Sequence, residues 1–262
     1  VQTCALPILG RLHGDLSVSD AYFGSSAYID LIQGLQLRVS GADISFAAPL
    51  FFNAQIKAGV LKIADLFNIY RFEDKLYTLR LRGYEIVRYL EMSYGMWVNT
   101  MTSPDDALLQ TAPMKCRPDR MGFKNFIFNF DAAAGISYTV DVSKPVGERI
   151  CIEGLEDGRD FDFTHYYTCA MTAYRANGGG ELLTKGVGLT KEEIDNRIVK
   201  HTPYDIRRYL MDYIREVGDI YPAPRGHWRF VPEEWVEVAR ERETSMLFGS
   251  ADINDEESDG GR

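Results

Sequence analysis

The order of the predicted elements indicates an α+β domain in which helices pack on a mixed sheet. Strand-like segments occur in pairs, without the strict strand–helix–strand alternation that is typical of a parallel sheet. Helical periodicity instead concentrates near residue 30, near residue 90 and beyond residue 189. A length of 262 residues and a hydrophobic share of 45% suffice for one large domain or two small ones.

The first half of the chain predicts helices and strands from two different periodicities. Residues 20–40 repeat apolar side chains at helical spacing, and Gly41 then provides a stop signal. Residues 75–81 alternate between apolar and polar side chains, which indicates a strand. The other elements predicted here are a strand at 44–50, a helical turn at 63–67 and a helix at 84–94.

The second half begins with prolines and scattered charges over residues 99–124, which indicate a long irregular surface insertion. Thr190 is expected to cap a helix whose first turn is acidic. The remaining predictions are strands at 126–130, 136–142, 150–152, 166–171 and 228–231, and helices at 203–217 and 232–242.

Composition and pattern divide the chain into three segments. Residues 1–19 form an atypical N-terminal segment whose first eight residues read like translated vector or adapter sequence, so we expect the chain to be a fragment of a longer protein. Residues 20–249 are predicted to form one domain with a C-terminal helical extension. Residues 250–262 are acidic and glycine-rich, and we expect a disordered tail there.

Composition excludes several classes of function. The net charge of −9 and a pI near 5.0 argue against nucleic acid or an anionic membrane as partner. No apolar run approaches the roughly 20 residues of a membrane-spanning helix. The four cysteines, Cys4, Cys116, Cys151 and Cys169, form no C-x-x-C motif. We interpret Cys151 and Cys169 as buried free thiols, with a disulfide between them as the alternative.

A glycine-rich turn at residues 174–181 carries the first functional signal. It reads YRANGGGE and follows a strand-like run. Gly178, Gly179 and Gly180 permit positive φ and a close approach of other groups. The ring of Tyr174 and the cation of Arg175 suit a flat, anionic ligand such as a nucleotide. The alternative is a tight loop without a ligand.

Two further segments share their order and spacing with this turn. Residues 130–141 read FDAAAGISYTVD, and GADI at 41–44 is followed by AG at 58–59 and LRG at 81–83. Together the segments resemble the C-terminal domain of the 5'-nucleotidase family, which includes UDP-sugar hydrolases and 2',3'-cyclic-nucleotide phosphodiesterases. The resemblance covers about residues 20–190.

The resemblance implies that Phe130 and Tyr174 sandwich the substrate base. Phe130 has the alternative role of a sheet-core residue. Arg71 and Arg175 are proposed to contact phosphate or ribose, although Arg71 could instead form a surface salt bridge with Glu73 or Asp74. Asn177 matches a family residue, but an asparagine that ends a turn explains its presence equally well.

Three departures concern the ribose and phosphate. Ala48, Asn53 and Gly180 stand where the family pattern has asparagine, arginine and aspartate. The residues lost in this way ordinarily hold the ribose hydroxyls and the nearby phosphate. Ordinary 5'-nucleotide specificity is therefore in question.

The sequence offers no catalytic or metal-binding constellation of its own. The histidines, His13, His165, His201 and His227, lie far apart, and we expect His227 at the surface. The resemblance implies an extracytoplasmic (periplasmic) phosphohydrolase whose two divalent metal ions lie in a separate N-terminal domain of the same polypeptide. The present chain would then bind a nucleotide or nucleoside. The alternative is a non-catalytic module that binds a nucleoside or sugar phosphate.

Overall fold

The computed structural model describes residues 8–249; Cys4 and the predicted acidic tail lie outside them. The helices are α1 (Ala27–Ser40), α2 (Asp65–Ile69), α3 (Gly83–Trp97), α4 (Ala173–Ala176), α5 (Lys191–Arg197), α6 (Ile206–Val217) and α7 (Glu233–Phe248). The strands are β1 (Ile8–Leu12), β2 (Leu16–Ser17), β3 (Ile44–Ala47), β4 (Gln55–Ile56), β5 (Gly59–Lys62), β6 (Lys75–Arg82), β7 (Thr111–Pro113), β8 (Met121–Phe123), β9 (Ala132–Ala134), β10 (Ile136–Asp141), β11 (Ile150–Leu155), β12 (Tyr166–Thr172), β13 (Ile198–Asp205), β14 (Asp219–Ile220) and β15 (Trp228–Val231). Short helical turns occupy Ser19–Tyr22, Ile127–Asn129, Gly179–Glu181 and Leu182–Val187.

Five strands form the central sheet in the order β13-β6-β12-β3-β9. Strand β6 runs antiparallel to β12 and β13, while β3 is parallel to β12 and antiparallel to β9. Two further sheets, β14-β1-β5 and β11-β10-β15, each combine one parallel and one antiparallel pair. The predicted α+β class with a mixed sheet and packed helices is confirmed.

Helices cover both faces of the central sheet because its strands are apolar on both sides. Ile44 and Phe46 of β3 belong to the core under α3, whereas Ala47 belongs to the core under α1 and α6. This alternation is the two-residue period of a strand. The two cores therefore lie on opposite faces of one sheet.

The helix boundaries follow from local capping. Helix α1 begins seven residues later than the predicted 20–40, because the Ser26 hydroxyl accepts a hydrogen bond from the Ile29 amide. It ends at Gly41, whose φ of 62° is left-handed. The Thr190 cap is confirmed: its hydroxyl and the Glu193 side chain cap each other's amides at the start of α5.

Two predictions about irregular and helical segments are wrong. The helix predicted at 203–217 begins only at Ile206, because residues before it form the edge strand β13 and Asp205 caps the helix. An edge strand tolerates Pro203, which lacks an amide hydrogen. Residues 99–124 contain the β7–β8 hairpin and the fully buried Leu108 and Leu109, so they are more than a surface insertion.

The N-terminal segment that the sequence analysis set apart is part of the sheet structure from residue 8 onward. Strand β1 lies between β5 and β14, and β2 pairs with β4. Of the two thiols interpreted as buried, Cys169 is buried but Cys151 is exposed, and both are free. No helix among residues 8–249 combines the length and apolar character needed to cross a membrane.

The last strand completes an aromatic core. Strand β15 lies parallel to β10, and the Trp228 ring stacks on Tyr138 with 5.8 Å between ring centroids. Phe230 meets Trp97 edge-on at 5.8 Å. Strand β15 thus contributes large buried side chains to the same core as Trp97 and Tyr138, which lie far earlier in the sequence.

Candidate ligand-binding cleft

A cleft of about 380 Å³ opens where β3 and β12 end and β6 begins. Because β3 and β12 are parallel and β6 is antiparallel to β12, the last residues of β3 and β12 and the first residues of β6 lie at the same edge of the central sheet. The lining is mainly apolar and aromatic, as is typical of small-molecule sites. It consists of Phe46, Ala47, Ala48, Leu50, Tyr70, Phe72, Glu73, Asp74, Phe128, Asp131, Thr172, Tyr174 and Arg175.

The three glycines let the turn pack beneath Tyr174 and Arg175. A Cβ atom on Gly179 would collide with the Tyr174 ring, and one on Gly180 would collide with the Arg175 guanidinium. Gly178 and Gly180 also adopt left-handed φ values of 88° and 70°. The glycine-rich turn is therefore built around the two side chains that precede it.

Arg175 uses all of its hydrogen-bonding capacity inside the protein. Its Nε and Nη2 atoms donate to the two carboxylate oxygens of Asp131 at 2.9 and 2.8 Å. Nη1 donates to the Asn129 side chain at 3.0 Å and to the Gly179 carbonyl at 2.9 Å, and Nη2 also donates to the Phe128 carbonyl. These are five acceptors for the five N–H donors of an arginine.

The Arg175–Asp131 pair is almost completely shielded from solvent, with both side chains 4% exposed. Burial alone would lower the pKa of Arg175, but the Asp131 carboxylate raises it above its ordinary value. The guanidinium therefore stays charged while its charge is compensated internally. Arg175 lies at the predicted site, yet it organises the cleft and has no donor left for an anionic ligand.

Helix α3 fixes the other side of this network. The Tyr89 hydroxyl donates to Asp131, and the Ser93 hydroxyl donates to the Asp131 carbonyl at 2.8 Å. Burial, followed by the nearby Asp131 charge, raises the pKa of Tyr89 well above its ordinary value. Tyr89 thus remains a neutral donor to the carboxylate.

The strand predicted at 126–130 is wrong, and the same network gives the reason. Residues Ile127–Asn129 form a helical turn. The carbonyl of Phe128 accepts from Arg175, and that of Asn129 accepts from Ser93 at 3.2 Å. These side chains take the place of a neighbouring strand.

Phe130 and Phe128 occupy different environments. Phe130 is fully buried and stacks on Trp97 with 5.5 Å between centroids, so the structure places it in the core. Phe128 lines the cleft, and its ring meets that of Tyr174 edge-on at 5.9 Å. Tyr174 is 43% exposed and available to a ligand. The only feature of the sequence that drew attention to Phe128 was its spacing of two residues from Phe126 and from Phe130.

Arg71 and Asn177 lie outside the cleft lining. The exposed Arg71 guanidinium lies over the rings of Phe51 and Phe72 at 5.3 and 5.5 Å. Glu73, one of its two expected salt-bridge partners, pairs with Arg207 at 3.1 Å instead. Asn177 follows α4 and donates to the Ala173 carbonyl at 2.8 Å.

The sequence analysis missed the polar wall of the cleft, formed by Tyr70, Glu73 and Asp74. Burial raises the pKa of Asp74 above its ordinary value, while the Tyr174 amide and Arg175 act in the opposite direction. Among residues 8–249, Arg175 is the only lysine or arginine in the lining. Since its charge is matched by Asp131, the cleft presents acidic groups to a ligand.

The histidines do not form a metal centre. His227, expected at the surface, is buried, and its Nε2 atom lies 2.8 Å from the Ala133 carbonyl. Its Nδ1 atom lies 3.8 Å from Asp30 and 3.7 Å from Glu156. Within the described part of the chain, no three His, Cys, Asp or Glu side chains gather in a way that fits a metal ion.

Two curated proteins are similar to this chain. The trifunctional nucleotide phosphoesterase protein YfkN of Bacillus subtilis is 27% identical over 195 residues, which cover 69% of this chain and 12% of that protein. A 2',3'-cyclic-nucleotide 2'-phosphodiesterase/3'-nucleotidase of Haemophilus influenzae is 26% identical over 197 residues, which cover 68% of this chain and 27% of that protein. The chain thus spans only a minor part of either relative.

A solved structure and a family profile agree with this similarity. The 5'-nucleotidase precursor of Thermus thermophilus superimposes with a TM-score of 0.66 at 19% identity, covering 86% of this chain and 39% of that one. The profile described as the 5'-nucleotidase C-terminal domain matches residues 8–185. With the match extending over more than half of its length, the chain belongs to the 5'-nucleotidase C-terminal domain family.

Proposed function

We propose that the cleft binds the nucleoside part of a nucleotide and presents its phosphate ester to a catalytic domain elsewhere in the same polypeptide. Family membership and the names of the curated relatives, which are phosphoesterases, support a role in nucleotide hydrolysis. The cleft supplies aromatic surface for a base through the exposed Tyr174 and Phe72 and the half-buried Phe128. Stacking of this kind contributes about 1–3 kcal/mol per base.

The single observation that carries this proposal is the internal neutralisation of Arg175. A phosphate requires cationic or amide donors, and among the described residues the lining has only this one cation, whose five donors are all used. An uncharged base and ribose fit an aromatic cleft with acidic groups on its wall. The phosphate would then lie outside the cleft, toward the catalytic domain.

Chemistry would come from metal ions that this domain does not hold. The described residues do not fit a metal centre, so we assign the two divalent ions to an N-terminal domain of the intact protein. We extend to the intact protein the extracytoplasmic, periplasmic location that the resemblance implies; the Thermus thermophilus protein is named a precursor, as exported proteins that lose a leader are. Ala48 and Gly180 stand at the altered ribose positions, and the Haemophilus influenzae relative is named for 2',3'-cyclic nucleotides. We therefore include cyclic and 3'-nucleotides among the substrates.

Calorimetric titration of the purified chain with adenosine, 5'-AMP, 3'-AMP and 2',3'-cyclic AMP tests the proposal. Adenosine and at least one of the three nucleotides should bind with similar affinity, and inorganic phosphate should not compete. Tyr174→Ala should weaken binding by about 1–3 kcal/mol, whereas Tyr221→Ala, which removes a 71% exposed ring that stacks on His13, should leave binding unchanged. A ligand at 100 times its Kd raises the unfolding free energy by about 2.7 kcal/mol, so melting gives a second readout.

Competition by phosphate, or unchanged affinity in Tyr174→Ala, would contradict the proposal. The hydrolytic part is tested separately, with the intact open reading frame and added divalent metal. Hydrolysis of the bound nucleotides is expected. Binding without hydrolysis would instead favour the alternative of a non-catalytic nucleoside or sugar-phosphate module.

A further inference from the structure

Tyr70 carries a buried hydroxyl that has no partner among the described residues. The side chain is 2% exposed, lines the cleft, and makes no hydrogen bond through its hydroxyl within residues 8–249. A buried hydroxyl without a hydrogen-bond partner lowers the stability of the folded state. Such a group in a cleft lining is typical of a position that a ligand satisfies.

Asp74 lies on the same wall and complements this donor. Its carboxylate lines the cleft and retains free acceptor sites, because an ionised carboxylate offers about four of them. Tyr70 and Asp74 both line the cleft, and after burial the Asp74 charge is the next cause that raises the pKa of Tyr70. One wall of the cleft therefore combines a hydroxyl donor with a carboxylate acceptor.

The other polar groups of the lining are already engaged. Asp131 accepts from Arg175 and Tyr89, Glu73 pairs with Arg207, and the Thr172 hydroxyl accepts from the Arg175 amide at 3.3 Å. A ligand that needs polar recognition therefore meets Tyr70 and Asp74 first. An alcohol both donates and accepts a hydrogen bond, so one hydroxyl group can satisfy both residues.

We infer that Tyr70 and Asp74 form a sugar-hydroxyl subsite and determine which ribose the cleft accepts. This inference rests on the proposed nucleoside-binding function. The Tyr70 hydroxyl donates to the ribose oxygen, and the same ribose hydroxyl donates to the Asp74 carboxylate. The hydroxyl can be the 5' group of a 3'- or cyclic nucleotide, or a 2' or 3' group of a 5'-nucleotide.

The test is a calorimetric panel on the full chain with adenosine and its 2'-, 3'- and 5'-deoxy analogues. Asp74→Asn should weaken adenosine binding about tenfold and Tyr70→Phe about fivefold, as expected for one charged and one neutral hydrogen bond. One deoxy analogue should bind the unmodified chain about tenfold more weakly than adenosine does. That analogue should lose little further affinity in either variant, and its identity shows which hydroxyl is bound.

The melting temperature of the variants distinguishes a ligand-binding role of the Tyr70 hydroxyl from a structural one. Tyr70→Phe removes an unpartnered hydroxyl, so the variant should melt at or above the temperature of the unmodified chain. Tyr28→Phe is the matched control, because its buried hydroxyl donates to the Ile69 carbonyl at 2.9 Å. It should lower the melting temperature and leave adenosine binding unchanged.

Several outcomes would overturn the inference. If adenosine binds and Tyr174→Ala weakens binding, but Tyr70→Phe and Asp74→Asn bind adenosine normally, the proposed function stands and the subsite is wrong. Equal affinity for adenosine and all three deoxy analogues has the same meaning. If adenosine does not bind the unmodified chain at all, both the subsite and the proposed function are wrong.

Discussion

Arg175 and Asp131, which lie 44 positions apart in the sequence, meet in two parallel hydrogen bonds of 2.9 and 2.8 Å. This pair joins α4 to the segment that precedes β9 and so holds both sides of the cleft together. Its geometry is the planar fork that arginine provides and lysine does not. Stability and ligand binding should both depend on it.

Arg175→Lys should destabilise the fold by about 3–5 kcal/mol, because the substitution leaves buried acceptors around Asp131 without donors. Urea denaturation measures the change in the free energy of unfolding. The control is Glu216→Gln, which breaks the exposed pair with Arg38 and should cost less than about 1 kcal/mol. Equal effects of the two substitutions would contradict the assigned role of Arg175.

Phe130→Ala and Phe128→Ala should separate the core from the cleft. Loss of the fully buried Phe130 ring should cost about 3–5 kcal/mol of stability, because it leaves a cavity beside Trp97. Loss of Phe128 should weaken adenosine binding, by up to about 1–3 kcal/mol, with a smaller effect on stability. Denaturation and calorimetry on both variants give the comparison. If Phe130→Ala weakened adenosine binding and Phe128→Ala mainly lowered stability, Phe130 would belong to the ligand site instead.

Gly179→Ala should weaken nucleoside binding, because the new methyl group displaces the Tyr174 ring from its position on the turn. Gly34→Ala is the matched control. Gly34 lies in α1 with open space around it and ordinary φ, so alanine there should stabilise the helix by up to about 1 kcal/mol. Calorimetric titration with adenosine should show a loss in the first variant only.

Asp74 should make stability fall as pH rises. Its raised pKa means that the folded state holds the proton more tightly than the unfolded chain between the ordinary and the raised value. As the pH rises from the ordinary to the raised pKa, the free energy of unfolding of the unmodified chain falls relative to that of Asp74→Asn. Below the ordinary pKa, the two free energies of unfolding depend on pH in the same way. Urea denaturation over an acidic to neutral pH series measures the difference.

Asp106 provides a control of opposite sign. Hydrogen bonds from Thr102 lower the pKa of this exposed carboxyl, so its contribution to stability is present above its ordinary pKa and is lost on acidification. Asp106→Asn should therefore destabilise the fold at neutral pH and have no effect in strong acid. The same sign for both variants would contradict the assignment.

Glu243→Gln should cost about 1–3 kcal/mol, because the two carboxylate oxygens accept from the Leu108 and Leu109 amides at 2.7 and 2.8 Å. Glutamine supplies only one acceptor and places an NH₂ group against the second amide. Glu241→Gln changes an exposed residue of the same helix and should stay within about 0.5 kcal/mol. Chemical denaturation compares the two variants.

Periodicity predicted those elements whose residues interact mainly with their sequence neighbours or with a sheet. Strand β6 appears one residue longer than its alternating pattern, and the Thr190 cap lies where the residue types placed it. The strand predicted at 126–130 was wrong because the Phe128 carbonyl accepts a hydrogen bond from Arg175, which lies 47 positions further along the chain. The surface position predicted for His227 was wrong because its hydrogen-bond partner, the Ala133 carbonyl, is 94 positions away in the sequence.

The residues of the candidate site likewise fall into those that the sequence indicated and those that it did not. The order of motifs led to Tyr174 and the glycines, which the structure places at the cleft. Tyr70 and Asp74 gave no local signal, because only folding brings the start of β6 beside the ends of β3 and β12. The charge of Arg175 was evident from the sequence, but its neutralisation by Asp131 was not.

The position of β15 governs how this domain must be made. The family profile ends at residue 185, but Trp228 and Phe230 belong to the aromatic core around Trp97, and α6 covers the opposite face of the sheet. A recombinant chain cut at that boundary would expose both cores and aggregate. During synthesis, the domain likewise cannot close until the ribosome has released β15, so nascent chains depend on protection of these aromatic side chains.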